Sequence, residues 1–375
     1  MTRVLLLAPG MTQLGGVERM VAGLAGLLGR RHEVAVASFD PPGARPAFAL
    51  PCPFHPLGDG RLPRPLAYLD QARRLRALER RLGTQVTISN LWRADLVSAL
   101  AGRHARRVAL AHINIVGNPT NAAMLRLRPL VAAIYRRLDR VVAVSAALER
   151  ELAALYRLPS GRSAAIPNFV APPAPPAAPR DANRLVWCGR MVAEKNAAAL
   201  PAILVRLRAR LPAVTLELIG DGPERAAIAA CAQAEGVSVT FHGALADPYP
   251  LIATAAALLL PSRAEGLPMV VLEALALGTP VIAADAPAGG VGEALGRATP
   301  HDPRRPAPER TDAGLLLPIP ESAADAQLWA DAIAALLANP PALARLSTGA
   351  RARAAAYAPD VVAGRWESLL AGLAM

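Results

Sequence analysis

Lysine is almost missing from this chain: of its 41 basic residues, only Lys195 is not arginine. A compact ammonium on a flexible stem, kept at one place in a chain that otherwise writes its cations as arginine, marks a candidate site, although one lysine can also survive by chance in an arginine-biased composition. Aromatic residues make up only 4% of the chain, which argues against the stacking platforms that hold single-stranded nucleic acid. Cysteine occurs three times, at Cys52, Cys188 and Cys231, scattered and without ligand spacing. That favours a reduced, cytoplasmic setting and supports no metal site. Although 53% of residues are hydrophobic, no uncharged apolar run approaches the length needed to cross a bilayer, about 18 residues or more. The apolar core of residues 1–9 is too short for a secretory signal and reads as a first strand. A G-x-G-x-x-G fingerprint is also lacking, which disfavours a dinucleotide.

What is present is unevenly distributed. Residues 1–168 carry 24 arginines against 10 acidic residues, whereas the remainder holds 17 basic and 19 acidic residues, within a net charge of +12. A basic half suits a negatively charged partner, membrane lipid or nucleic acid; solvated helix faces account for it equally simply. Residues 66–82 set five arginines around an apolar stripe of Leu69, Ala72, Leu75, Leu78 and Leu82. Such a helix can lie on a membrane, but the stripe reads first as core-facing.

At 375 residues the chain is long enough for two domains. Strand patterns at 3–8, 33–39, 86–90, 107–113, 140–145 and 163–167 alternate with helical patterns at 17–30, 66–82, 93–103, 122–138 and 146–157, which predicts a parallel sheet covered on both faces. A proline-rich stretch at 171–179 then interrupts the pattern and reads as a stiff spacer. The alternation restarts with strands near 184–188, 214–219, 237–242, 257–261, 280–284 and 314–318. The division expected is therefore a domain over 1–170, a linker over 171–182, a second domain over 183–357 and a terminal amphipathic helix over 358–375. The fold class is α/β, with two Rossmann-like domains of about six strands each facing across a cleft. Residues 296–312, polar and proline-rich, read as an exposed loop.

The chemistry concentrates in residues 262–285, SRAEGLPMVVLEALALGTPVIAAD. An apolar strand enters it, Pro268 opens a helix, Gly278 ends the helix, and a second apolar strand follows. Two carboxylates, Glu265 and Glu273, flank the helix start, whose free amides suit a phosphate. Carboxylates that grip sugar hydroxyls, beside amides that grip a diphosphate, compose a nucleotide-sugar site. In the stretch LVWCGRMVAEKN a strand delivers Gly189 and Arg190 to a loop, with Lys195 five residues on. Together the two cations would neutralise a leaving diphosphate. Gly220 ends another strand in a tight Gly-Asp-Gly-Pro turn that shapes the same edge or is a turn and nothing more. In the first half, Gly15 and Gly16 precede a helix that also carries Glu18, where backbone can approach a ligand closely or simply turn. His112 ends a strand and is followed by Asn114; a histidine there serves structure as readily as catalysis.

These motifs line up in order with a known family. GGVER, RVVAVSAAL, AAIPNFV, WCGRMVAEKN, ELIGDGPER, FHGAL, the 262–285 stretch, GLLLP and the terminal WESLL together resemble the retaining glycosyltransferases of the GT-B fold, family 4, also called glycosyl transferase group 1. Glu265 and Glu273 match the family's E-x7-E pair. The resemblance implies that Arg190 and Lys195 hold the diphosphate of a nucleoside-diphosphate sugar, UDP- or GDP-linked, and that Glu273 holds the ribose. It further implies that Glu265 with the backbone of Gly266, Leu267, Pro268, Met269 and Val270 holds the sugar. Gly15, Gly16, Gly189 and Gly220 would border the donor; Glu18, His112 and Asn114 would stand on the acceptor side, with His112 near the reacting sugar. Transfer would retain anomeric configuration without metal or cofactor, toward a lipid-linked or glycan acceptor in envelope or exopolysaccharide assembly, and the terminal helix would cross back to the first domain. The implied place is cytoplasmic, with peripheral contact to the anionic inner membrane face. The chain departs from the family pattern at Ala255-Ala256-Ala257, where an acidic residue is common. A sugar-nucleotide epimerase of the other GT-B lineage and a basic nucleic-acid-binding protein are the alternative readings.

Overall fold

Residues 4–8 are all buried, and such a near-continuous apolar run suits a strand covered on both faces. Wholly buried runs recur at Val86–Asn90, Ala255–Leu260 and Val281–Ala284, and they lie inside two sheets. In the computed structural model, the residues described are all except 59–62, 64–65, 114–124, 172–177, 288, 298–307 and 375. They divide into two compact units. Unit 1 gathers the chain up to Ile113, the stretch ending at Asn168 and the segment from Pro359, while unit 2 runs from Phe169 to Ala358.

Unit 1 contains β1 (Arg3–Ala8), β2 (Glu33–Ser38), β3 (Phe54–Pro56), β4 (Val86–Asn90), β5 (Arg106–Ala111), β6 (Arg140–Ala143) and β7 (Ser163–Ala165). They pair in parallel in the order β3-β2-β1-β4-β5-β6-β7. Helices α1 (Gly16–Leu28), α2 (Leu66–Leu82), α3 (Leu91–Leu100), α4 (Arg128–Tyr135) and α5 (Ala146–Tyr156) connect them. Leu75 and Leu78 of α2 enter a core with Leu5, Leu7 and Val97, so the stripe of this helix faces inward. Leu69 is the exception and is exposed.

Unit 2 contains β8 (Asp181–Cys188), β9 (Thr215–Ile219), β10 (Thr240–Gly243), β11 (Ala255–Leu260), β12 (Val281–Ala284), β13 (Glu309–Arg310) and β14 (Gly314–Leu317). The order is β10-β9-β8-β11-β12-β14-β13, parallel except for the last pair. Its helices are α6 (Leu200–Arg208), α7 (Arg225–Ala234), α8 (Tyr249–Thr254), α9 (Met269–Leu277), α10 (Gly290–Leu295), α11 (Ala323–Leu337) and α12 (Pro340–Ala354). Trp187 and Trp329 anchor its core, with the Trp329 indole N–H donating to Pro318 O at 2.8 Å. The last helix, α13 (Pro359–Ala374), belongs to unit 1 and buries Val362, Trp366 and Leu370. Its Glu367 meets His32 Nε2 at 3.0 Å, and Thr2 N–H donates to the other ring nitrogen.

Each sheet therefore has seven strands where six were expected. The additions are short: β3, three residues between prolines, and β13, two residues at the end of the 296–312 stretch, bonded antiparallel to β14. The strand orders matter more. In each sheet the first strand (β1, β8) has its successor (β2, β9) on one side and a later strand (β4, β11) on the other. Each sheet thus has a point where chain direction reverses, and ligands bind outside the carboxyl ends of strands at such points.

Candidate active site

In unit 2 the reversal lies between β8 and β11. The loop after β8 carries Lys195 and the loop after β11 carries Glu265; the fold joins them, with Lys195 Nζ donating to both carboxylate oxygens of Glu265 at 2.7 and 2.8 Å. The Glu265 side chain is only 6% exposed and that of Lys195 29%, so the pair sits at the floor of the edge with the ammonium outermost. An ammonium has three protons, and one remains for an incoming oxygen. Two neighbours fix the loops against each other. Asn196, in the left-handed region at φ 51°, donates from Nδ2 to Pro261 O at 3.2 Å and Pro320 O at 3.3 Å. Arg263 N–H donates to Glu194 O, and its guanidinium to Ala193 O, both at 2.8 Å.

Beside this pair, α9 begins at Met269, one residue later than expected, with Pro268 as the residue just before it. No side chain caps this end, so its amides and its positive dipole end are left to a ligand. Gly266 and Leu267 are buried on the approach, Pro268 and Val270 half-buried. Ser262 is buried, and its hydroxyl has no hydrogen-bond partner among the described residues. Glu273, the second carboxylate of the pair, is buried within α9. The far end is closed by Gly278 at φ 72°, a left-handed C-cap whose carbonyl accepts from Ser347 Oγ at 2.7 Å.

Gly189 N–H donates to Ile219 O at 2.9 Å, fastening the β8 loop to β9. Gly220 follows β9 at φ 128°, and a Cβ there would strike Gly189 O, so only glycine lets the two turns approach. Arg190 is exposed, and its guanidinium has no partner among the described residues. Lys195 likewise spends two protons on Glu265, so the two cations do not form a bare pair. The arrangement is an Arg190 free to reach outward beside a Lys195 already compensated.

In unit 1 the reversal lies between β1 and β4. Gly15 is the residue preceding α1 and Gly16 its first residue. Glu18 folds back so that its carboxylate fills the place of a Gly15 side chain, at the positive end of its own helix. His112 follows β5, with Nε2 3.0 Å from Asn90 Oδ1. Asn90 Nδ2 donates to Leu7 O at 3.1 Å, which turns the amide oxygen toward the imidazole. The ring proton therefore sits on Nε2 and leaves Nδ1 as an acceptor. Burial pushes the His112 pKa down to about 4, so the ring is neutral near pH 7. Next to Asn90, Leu91 is held at φ 67°, a left-handed conformation that costs a branched residue about 1–2 kcal/mol. Asn114 lies outside the described residues.

Asn90, Asn196 and Arg263 are site residues that the motifs did not announce. An Asn directly after a lysine at a strand end was a usable signal for a left-handed turn. Asn90 had none, because its importance comes from strand adjacency. Among the described residues no group of three or more His, Cys, Asp or Glu side chains is placed to hold a metal, and no helix is long and apolar enough to cross a membrane.

Comparison with known proteins agrees on the type of molecule. The family described as Glycosyltransferase Family 4 matches residues 14–174, and that described as Glycosyl transferases group 1 matches residues 182–339. The lipopolysaccharide core biosynthesis glycosyltransferase LpsE of Rhizobium meliloti is 39% identical over 106 residues, 28% of this chain and 30% of that protein. A glycogen synthase of Mycobacterium tuberculosis is 27% identical over 222 residues, 56% of this chain and 50% of that one. The chain thus spans half or less of the length of these relatives. Among solved structures, sucrose-phosphate synthase from Thermosynechococcus elongatus superposes with a TM-score of 0.79 at 22% identity, covering 100% of this chain and 99% of that one. Anabaena HepE in complex with UDP and glucose gives 0.78 at 19% identity, covering 98% and 99%. The shared architecture is GT-B: two parallel-sheet, Rossmann-like domains.

Proposed function

Since the chain belongs to the family-4, group-1 glycosyltransferases, we propose that it moves a sugar from a nucleoside-diphosphate sugar to a glycan or lipid-linked acceptor, with retention of configuration, in envelope or exopolysaccharide assembly. The observation that carries this reading is the Lys195–Glu265 pair at the β8–β11 reversal, beside the uncapped start of α9. A diphosphate placed there takes the third Lys195 proton, the α9 amides and the exposed Arg190 guanidinium. Each contact strengthens as negative charge builds on the leaving phosphate. Glu265, oriented by its two hydrogen bonds from Lys195, is left to accept from sugar hydroxyls together with the backbone of Gly266–Val270, and Glu273 from the ribose.

In the transfer step the bond from the anomeric carbon to the diphosphate oxygen breaks with its electron pair going to phosphate. The acceptor oxygen bonds to the same face of that carbon, and its proton passes to a phosphate oxygen. Charge neutralisation comes from Arg190, Lys195 and the helix end, so the step is written without a metal. On the acceptor side His112 is a neutral hydrogen-bonding group with a fixed tautomer; it is not an imidazolium. Glu18, covering the start of α1, must swing aside if Gly15 and Gly16 are to border a phosphate.

HepE was solved with UDP, so UDP and its sugars are the first probes. Thermal melts with UDP-, GDP-, ADP- and TDP-sugars should single out one nucleotide that raises the melting temperature, because a ligand that binds only the folded form stabilises it. Proton NMR of the product should then show the donor's anomeric configuration. No shift with any nucleotide would overturn the reading, and an inverted product would remove retention from it.

A further inference from the structure

The chain has four tryptophans, five tyrosines and five phenylalanines. Trp92 alone among them is exposed, at 45%, whereas Trp187, Trp329 and Trp366 are at most 2% exposed. A fold that buries or half-buries every other ring presents this one to solvent. The backbone beside it is strained. Strand β4 ends at Asn90 and α3 begins at Leu91, with no loop residue between them, and Leu91 makes the turn at φ 67°. Strain of this kind persists only where the surrounding structure enforces it, and it gathers at ligand sites. Here the turn sends two neighbouring side chains opposite ways. Asn90 is wholly buried, bonded to Leu7 O and to the His112 ring, while Trp92 is turned outward.

Strand register sets the indole beside the acceptor-side histidine. Asn90 of β4 pairs with Leu110 of β5, so Trp92 and His112 each stand two residues beyond a paired position. Ile113, next to His112, is also exposed, at 39%. The edge thus offers a flat apolar ring, a second apolar tip and the His112 Nδ1, which the Asn90 bond leaves as an acceptor. A pyranose ring has the matching surfaces, with C–H groups on one face and hydroxyls around its rim. Its C–H face against the indole buries apolar area on both, while a rim hydroxyl donates to the imidazole. A single-stranded nucleic acid calls for a row of rings, and an alkyl chain leaves the imidazole without a partner. We propose that Trp92 is the stacking platform for the terminal sugar ring of the acceptor. The acceptor is then a glycan, free or carried on a lipid, and Trp92 is a determinant of acceptor choice. The inference rests on the proposed transfer and narrows its acceptor.

Tryptophan fluorescence tests this, because the other three indoles are buried. Acrylamide should quench a component of wild type that is missing from Trp92→Phe. The probes are the methyl pyranosides of glucose, galactose, mannose, rhamnose and N-acetylglucosamine, added with and without UDP. At least one should shield that component from acrylamide, whereas adenine and decyl phosphate should not. Transfer to the shielding pyranoside should show an acceptor KM about tenfold or more higher in Trp92→Ala, with kcat changed less. Trp92→Phe should recover most of the loss, since a smaller flat ring still stacks. The proposal is overturned if wild type lacks the quenchable component, if no pyranoside shields it, or if Trp92→Ala keeps the wild-type KM. It is also overturned if adenine, decyl phosphate or a UDP-sugar alone shields equally well, for the indole then meets a base, a chain or the donor. Melts with UDP keep the two readings apart. A UDP response without shielding defeats only the platform, and shielding without any nucleotide response supports a sugar-binding Trp92 and defeats only the transferase reading.

Discussion

Lys195 and Glu265 illustrate how a buried charge is compensated within its own protein. A carboxylate that is 6% exposed needs compensation, and the ammonium supplies it with two hydrogen bonds of 2.7 and 2.8 Å. Lys195→Ala should therefore do two things at once. Transfer should fall about 10²–10³-fold, the range for removing one donor to a developing oxyanion. Stability should fall by about 1–3 kcal/mol, less than for a fully buried pair because the ammonium is partly solvated. The double change Lys195→Met with Glu265→Leu should recover much of the melting temperature and stay inactive. An unaltered melt for Lys195→Ala would mean that the pair does not bear on stability. His112 makes a second prediction. Its pKa is lowered from 6.5 to about 4, so the stability that its neutral form contributes is complete above pH 6.5 and is lost as pH falls toward 4. A kcat/KM profile should accordingly show no imidazole inflection near pH 6.5. An inflection there that disappears in His112→Asn would contradict the neutral assignment.

Helix α3 carries a buried acid that senses pH in the opposite direction. Asp95 accepts from Ser89 Oγ at 2.6 Å and from the Tyr135 hydroxyl at 3.3 Å, and burial raises its pKa to about 8. Its contribution to stability is complete below the ordinary carboxyl range and is lost as pH rises toward 8. Between about pH 4 and 6.5 this loss opposes the His112 gain, one proton against one. Above pH 6.5 Asp95 acts alone, with a slope of about −1.4 kcal/mol per pH unit. Urea melts from pH 6.5 to 8 should show wild type weakening relative to Asp95→Asn, and parallel curves would refute the neutral acid. At the end of α9, Gly278→Ala should cost about 1–2 kcal/mol, since φ is 72° and the new methyl meets the Arg351 guanidinium. Elements of this kind were legible in the sequence where an apolar run met a punctuating residue. The α9 unit, bounded by Pro268 and Gly278, is the clearest case. Strands β3 and β13 were not legible, because two or three residues among prolines give no period to read. Nor was the Lys195–Glu265 pair: its partners are 70 residues apart, and only the adjacency of β8 and β11 brings them together. The role of Asn90 was hidden for the same reason, since it depends on β1, β4 and β5 lying side by side.

The whole chain repeats one plan. Two sheets share the order third, second, first, fourth, fifth strand, and each places its notable side chains at the reversal of chain direction. The repeats then diverge in charge and surface: the arginine excess lies in the first half, and the described apolar exposures belong to unit 1. The proposed transfer depends on the Lys195–Glu265 edge of unit 2. Isothermal titration of UDP and GDP into wild type and Lys195→Ala, well below the melting temperature of either, addresses it most directly. One nucleotide should bind wild type and lose about tenfold or more in affinity in the variant, about 1.4 kcal/mol. Equal affinity for the two proteins would place the diphosphate somewhere other than the Lys195–Glu265 edge and contradict the account.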